Sequence, residues 1–280
     1  MTYVRQALGI SANSTINSLE TLHSGVIKAA SIPGNNVAST LSYRTNIYNY
    51  IKYTLGWSTT GGSSTAVTPL QPPNGGGGST VGGVQIGNYY YTDVSPSSWA
   101  LSGIRYVVEM GLFQGTSAST FSPSMSMNRA MAVTVLYRMR GATRDMWVGS
   151  ETGGVFVDVP TASYYYDAVY WANRVGIVNG MTATTFEPER SLTREQLATL
   201  LYRYAEYTGK LGTVDRSAGS LHQFTDGSKT HNYAKIAMAW AIDKGLIKGV
   251  GTNGGTLLDP QGEATRAQVA VIIMRFLQMN

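Results

Sequence analysis

The sequence predicts an all-α fold in which a small αα-hairpin and a Gly/Ser-rich linker precede three tandem helical-hairpin repeats. Three observations carry this. One ordered pattern occurs three times in the last two-thirds of the chain. Apolar residues recur at three- and four-residue steps around that pattern. A long uncharged stretch of Ser, Thr, Gly and Pro separates the repeats from what precedes them. A pattern of this length marks one supersecondary unit used several times, each copy too small to bury its apolar face alone.

Residues 1–57 read as two helices joined by a turn. Ile16, Leu19, His23, Val26 and Ala30 form one apolar face, with Asn13, Ser14 and Thr15 as capping candidates. Ser31-Ile-Pro33-Gly34-Asn35-Asn36 breaks the helix, and Val37, Leu41, Tyr48, Ile51 and Leu55 form a second face. Such a unit has too small a core to stand alone. It self-associates into a homo-oligomer, docks on a larger body or packs on the repeats. Residues 58–88 then read as a flexible tether, with Pro69, Pro72, Pro73 and the run Gly75–Gly78. Its reach is roughly 30 Å root-mean-square for a Gly-rich chain of this length. The glycine run lacks the Lys-Ser/Thr that would make it a phosphate loop.

The repeats are placed at 89–140, 154–208 and 222–280. Copy one runs Tyr91-Thr-Asp93-Val94, Gly111-Leu-Phe-Gln-Gly115, Phe121-Ser-Pro123 and Asn128-Arg129-Ala130. Copy two runs Phe156-Val-Asp158-Val159, Gly176-Ile-Val-Asn-Gly180, Phe186-Glu-Pro188 and Thr193-Arg194-Glu195. Copy three runs Phe224-Thr-Asp226, Gly245-Leu-Ile-Lys-Gly249, Leu258-Asp-Pro260 and Thr265-Arg266-Ala267. In copy two, Ala168, Val169, Ala172 and Val175 make the first helical stripe, and Gly176 closes it as a C-cap. Thr193 sits where an N-cap belongs, ahead of Leu197, Leu200, Leu201 and Tyr204. Thr265 and Asn128 hold the same place in the other copies.

The ordered aromatic-x-Asp, Gly-hydrophobic-x-x-Gly, Phe-x-Pro and Thr-Arg elements resemble the S-layer homology family over residues 89 to 280. The resemblance implies three helical hairpins packed round a pseudo-three-fold axis, with ligand sites in the grooves between repeats. It also implies binding of a secondary polymer of bacterial cell walls, commonly a pyruvylated amino sugar. The departures are specific. Met131, Gln196 and Gln268 stand where the family motif ends in an acid, Glu195 lies one place early, and Gly227 replaces a Val after Asp226.

The candidate binding residues follow the repeat. Arg129, Arg194 and Arg266 sit at the first turn of each second helix, where a guanidinium fork matches a carboxylate such as that of a pyruvyl acetal. The alternative is a structural salt bridge. Asp93, Asp158 and Asp226 line the sugar groove by the resemblance, or else orient a turn. Trp99, Tyr164 and Tyr233 precede Tyr106, Trp171 and Trp240 by seven residues, so each pair is expected to share a helical face. The first set is expected to reach a groove and stack on sugar, and the second to pack in the core. Gly115, Gly180 and Gly249 are expected at positive φ in a tight turn, which also lets sugar approach the backbone.

Net charge is +5, yet residues 1–88 carry Arg5, Lys28, Arg44 and Lys52 against Glu20 alone, so the repeats are close to neutral. That excludes a basic slab of the kind that coats nucleic acid. There are no cysteines, which removes thiolate chemistry and disulfides. His23, His222 and His231 do not recur with the unit, no Gly-x-Ser-x-Gly occurs, and Glu187 and Glu189 flank a turn proline. No enzyme activity, cofactor or metal is expected. No apolar run suits a signal peptide or a membrane span. The reading is a non-catalytic, extracellular protein that binds an anionic cell wall polysaccharide. Residues 1–57 would hold it to a phage virion, as a host-attachment fibre or decoration protein. The alternative is a bacterial surface-layer protein anchored to its own wall.

Overall fold

The computed structural model describes residues 82–142, 156–251 and 257–279. The expected N-terminal hairpin (1–57) and residues 58–81 of the expected tether (58–88) lie outside them. The chain is mostly helical, with six α-helices among the described residues: α1 (Leu101–Glu109), α2 (Arg129–Arg140), α3 (Tyr166–Arg174), α4 (Arg194–Tyr207), α5 (Lys235–Asp243) and α6 (Arg266–Leu277). Short 3₁₀ turns at Gly219–Gln223 and Gly227–Lys229 precede α5. The described residues fall into two compact units. One holds 82–101, 105–122 and 141–142, and the other holds 102–104, 123–140, 156–251 and 257–279.

The first unit adds one short strand pair to the expected helical repeats. β1 (Val84–Ile86) and β2 (Tyr89–Tyr91) pair antiparallel, so three residues expected in the tether form a strand. The alternation is legible afterwards: Val84 and Ile86 are buried while Gln85 is exposed. Gly87 takes φ 57° in the turn between them. Tyr91 is fully buried, edge-on to Phe121, which stacks on Phe113.

In the second unit the helices pack across repeats. α2 lies along α3, and α4 along α5, so each of these close pairs joins successive copies. Tyr137 on α2 meets Trp171 on α3 edge-to-face at 5.6 Å, and Tyr202 on α4 meets Trp240 on α5 in the same way. The two tryptophans are buried, as expected of their set. Edge-to-face pairs of this kind are worth about 1 kcal/mol each beyond area burial.

The segments ahead of α2, α4 and α6 close on one another as a ring. Met127 N–H donates to the Ala264 carbonyl at 2.9 Å, Ala264 to Leu192 at 2.8 Å, and Leu192 to Met127 at 2.8 Å. A second ring surrounds it, with Arg129 N–H on Arg190 O, Arg194 on Gly262 O and Arg266 on Met125 O. Isolated bridges Ser126–Thr265, Asn128–Ser191 and Thr193–Glu263 follow the same cycle. Met127, Leu192 and Ala264 are fully buried at its centre. Three equivalent segments bonded head to tail define a local pseudo-three-fold axis. It also satisfies backbone N–H groups at helix starts that would otherwise lack partners.

The helix ends follow the sequence. Thr193 accepts from Gln196 N–H, and the Gln196 side chain accepts from Thr193 N–H, a reciprocal capping box. Thr265 and Gln268 repeat it. Glutamine therefore fills the third helical place of the capping box, which takes glutamate or glutamine alike. Gly176 (φ 76°) closes α3 in a Schellman arrangement, with Ile177 N–H on Ala172 O at 2.8 Å.

Candidate functional site

The motif residues converge on one structural knot per repeat. Each opening aspartate bonds to the Phe-x-Pro turn of its own copy. Asp93 accepts from the N–H groups of Phe121 (2.8 Å) and Ser122 (2.6 Å). Asp158 accepts from Phe186 (2.8 Å) and Glu187 (2.7 Å), and Asp226 from Leu258 (2.7 Å) and Asp259 (2.9 Å). The middle residues of these turns, Ser122, Glu187 and Asp259, all have positive φ. An L-residue there costs roughly 1–2 kcal/mol, which two charge-assisted hydrogen bonds offset. Burial raises the Asp226 pKa, but the Leu258 and Asp259 N–H groups outweigh it and leave it below the ordinary value.

The arginines cross to the next repeat. Arg129 Nε donates to Phe186 O at 2.9 Å and Nη2 to Asn179 O at 3.0 Å. Its guanidinium lies 4.4 Å from the Phe186 ring centroid. Arg194 Nε donates to Leu258 O at 2.8 Å and Nη2 to Lys248 O at 2.9 Å. Both side chains are buried, as is that of Arg266. Burial lowers the pKa of Arg129 and Arg194, with nearby carboxylates opposing it. The expected carboxylate fork is thus turned toward backbone carbonyls. Planar guanidinium suits two carbonyls held at a fixed angle.

The glycine expectation is corrected. Positive φ belongs to the first glycine of each step, Gly111, Gly176 and Gly245, and not to Gly115, Gly180 or Gly249. Gly115 and Gly180 are needed for space. A Cβ at Gly115 would lie 2.6 Å from Ser117 O and 2.8 Å from Tyr91 Cε1, and one at Gly180 would meet Thr182 O and Phe156 Cε1. Gly227 has a similar cause, since a Cβ there would strike the Leu221 carbonyl.

The aromatic pairs do not share a face. Trp99, Tyr164 and Tyr233 precede their helices and stay 68%, 63% and 57% exposed, while Trp171 and Trp240 are buried. Tyr106 is half-buried.

The seam between the second and third repeats holds a cluster that the repeat pattern did not flag. Glu195, the second residue of α4, is buried. Its Oε1 lies 2.6 Å from His231 Nδ1 and accepts from the Tyr233 hydroxyl at 3.0 Å. Its Oε2 accepts from His231 N–H at 3.1 Å and Gln261 Nε2 at 3.3 Å. Burial and then the Glu195 charge push the Tyr233 pKa up to about 12, against Arg129 and Arg203. The one available signal was a charged residue where the other copies hold Ala130 and Ala267. In the seam between the first and second repeats, Asn128 Nδ2 donates to Glu189 at 2.7 Å, and burial raises the Tyr164 pKa.

Among the described residues no group of three or more His, Asp or Glu could hold a metal ion. No helix there is long and apolar enough to cross a membrane.

A family model described as S-layer homology domain matches residues 90–132, 155–198 and 223–270. The surface-layer 125 kDa protein of Lysinibacillus sphaericus is 31% identical over 182 residues, 65% of this chain and 14% of that protein. An endoglucanase of Bacillus sp. (strain KSM-635) is 30% identical over 187 residues, 67% of this chain and 18% of its own length. The cellulosome-anchoring protein of Acetivibrio thermocellus is 26% identical over 167 residues, 59% of this chain and 35% of that protein. The matched segment is a small part of each relative.

Proposed function

We propose, on the premise that residues 90–270 belong to the S-layer homology domain family as three tandem domains, that the chain is the wall-anchoring part of a bacterial cell-surface protein. The observation that carries this is the triple match in tandem, together with relatives named as surface-layer and cellulosome-anchoring proteins. These names favour the bacterial-surface reading over the virion reading. The role is non-catalytic: the match to the endoglucanase takes in only 18% of that enzyme. The partner is an anionic polysaccharide of the cell wall, met at the seams between successive repeats. The exposed rings of Trp99, Tyr164 and Tyr233 meet sugar faces. The buried arginines, together with the aspartates and glycines, support the seams by holding their loops. Residues 1–57 join the anchor to a surface-layer protein.

The test is co-sedimentation of the full chain with isolated cell walls, before and after chemical removal of the secondary polymer. Retention that disappears with the polymer is the expected result. Equal retention on stripped walls, or none on intact walls, overturns the reading.

A further inference from the structure

We infer that the seam between the second and third repeats is an acceptor-lined site that takes a hydroxyl or amine of a wall sugar and rejects a carboxylate. This rests on the proposed function, since it concerns what a sugar meets there.

The argument is an accounting of donors. Glu195, as a carboxylate, can only accept hydrogen bonds. An acceptor-only oxygen 2.6 Å from His231 Nδ1 requires the hydrogen to sit on that nitrogen, which also has Gln261 Nε2 at 3.4 Å; the Tyr233 hydroxyl and Gln261 Nε2 donate to Glu195 at 3.0 and 3.3 Å. Gln261 Nε2 also donates to Lys229 O at 2.7 Å. Each of these side chains has thereby turned its donor inward. What each retains is an acceptor: the other ring nitrogen of His231 in the neutral imidazole, the phenolic oxygen of Tyr233 and the amide oxygen of Gln261. All three side chains reach solvent: Tyr233 is 57% exposed, the His231 side chain is 62% exposed, and Gln261 is exposed. The His231 and Tyr233 rings lie nearly parallel, 19° apart with centroids at 6.1 Å, and offer apolar faces to sugar C–H groups.

A ligand at this surface must bring donors. A carboxylate would bring only acceptors and a charge of the same sign as the buried Glu195, which acts on the Tyr233 oxygen more strongly than Arg129 or Arg203 does. The other repeats do not build this device. Ala130 and Ala267 stand at the Glu195 position, and Ala162 and Ser97 at the His231 position. The seams are therefore chemically unlike, and the chain reads more than one feature of its polymer.

The test is titration of the full chain with an N-acetylated amino-sugar methyl glycoside, and with the same glycoside bearing a pyruvyl acetal. Long-range ¹H–¹⁵N spectra of the histidine rings are the readout. The His231 signals are expected to show the Nδ1–H tautomer. They should shift with the plain glycoside, and the pyruvylated one should bind there about tenfold more weakly. Glu195→Ala, and separately Glu195→Gln, should reduce that preference. An Nε2–H tautomer, equal or tighter binding of the pyruvylated glycoside at His231, or no shift with either probe overturns the inference. Loss of wall retention overturns the proposed function instead. Retention on walls with the pyruvylated probe preferred at His231 overturns this inference alone.

Discussion

Arg194 Nε donates to the Leu258 carbonyl at 2.8 Å, joining the first turn of one repeat's second helix to the Phe-x-Pro-like turn of the next. Nη2 of the same guanidinium reaches Lys248 O, just before Gly249. Two motif elements of repeat three are thus held by a third element of repeat two. The geometry accounts for their recurrence together, because none is satisfied without its neighbour.

Arg194→Ala should therefore destabilise the fold by about 3 kcal/mol, since it strands the buried Leu258 carbonyl and the part-buried Lys248 carbonyl and opens a cavity. Arg194→Lys should recover only part, because an ammonium cannot serve both carbonyls in the guanidinium plane. Urea unfolding of the three proteins measures this. A full recovery by lysine would contradict the two-carbonyl role.

Asp158→Asn keeps the shape of the turn-binding side chain but leaves one oxygen for two N–H groups. The expected loss is about 2 kcal/mol. Glu187→Gly should separate the causes, because glycine relieves the positive φ of 57° at that residue. In the Asp158→Asn background it should restore part of the midpoint lost in thermal unfolding. No restoration would mean that the turn is not what Asp158 holds.

The helix boundaries and the repeat were legible because their causes are local. Thr193, Thr265 and Gly176 act through hydrogen bonds three to five residues away, and the sequence shows such spacings directly. The partners of Arg129 and Arg194 lie fifty or more residues on, so the sequence suggested a free fork where the fold supplies carbonyls. Trp99, Tyr164 and Tyr233 were placed on helices that begin two residues later. The strand Val84–Ile86 is too short to carry a periodic signal. His231 was set aside for not repeating, yet a non-repeating residue in a repeat protein is where a special contact is to be sought.

Gly180→Ala tests the space argument without changing backbone preference, since Gly180 is not at positive φ. The new Cβ would lie 2.5 Å from Phe156 Cε1 and 2.6 Å from Thr185 O. The turn must open, at about 2–3 kcal/mol. Gly176→Ala should also destabilise, by about 1 kcal/mol, but through strain at φ 76° with nothing within 4 Å of its Cβ. A crystal structure of each variant distinguishes them, with displacement of the Phe156 ring in the first and an unmoved core in the second.

Stability should fall at both ends of the pH scale, for opposite reasons. Asp226 has a folded pKa below its ordinary 3.8, so its contribution is present above that value. It is lost as pH falls through the folded pKa, when protonation removes an acceptor from the Leu258 and Asp259 N–H groups. Tyr233 has a folded pKa raised from 10.0 to about 12, so its contribution is complete below pH 10.0. It is lost between about 10 and 12, as the unfolded chain ionises first and the hydroxyl donated to Glu195 then goes. Tyr233→Phe cannot ionise, so the alkaline fall should be shallower in that variant while the acid limb is unchanged. Urea midpoints of both proteins from pH 3 to pH 12 measure this, and identical alkaline limbs would exclude Tyr233 as the group responsible.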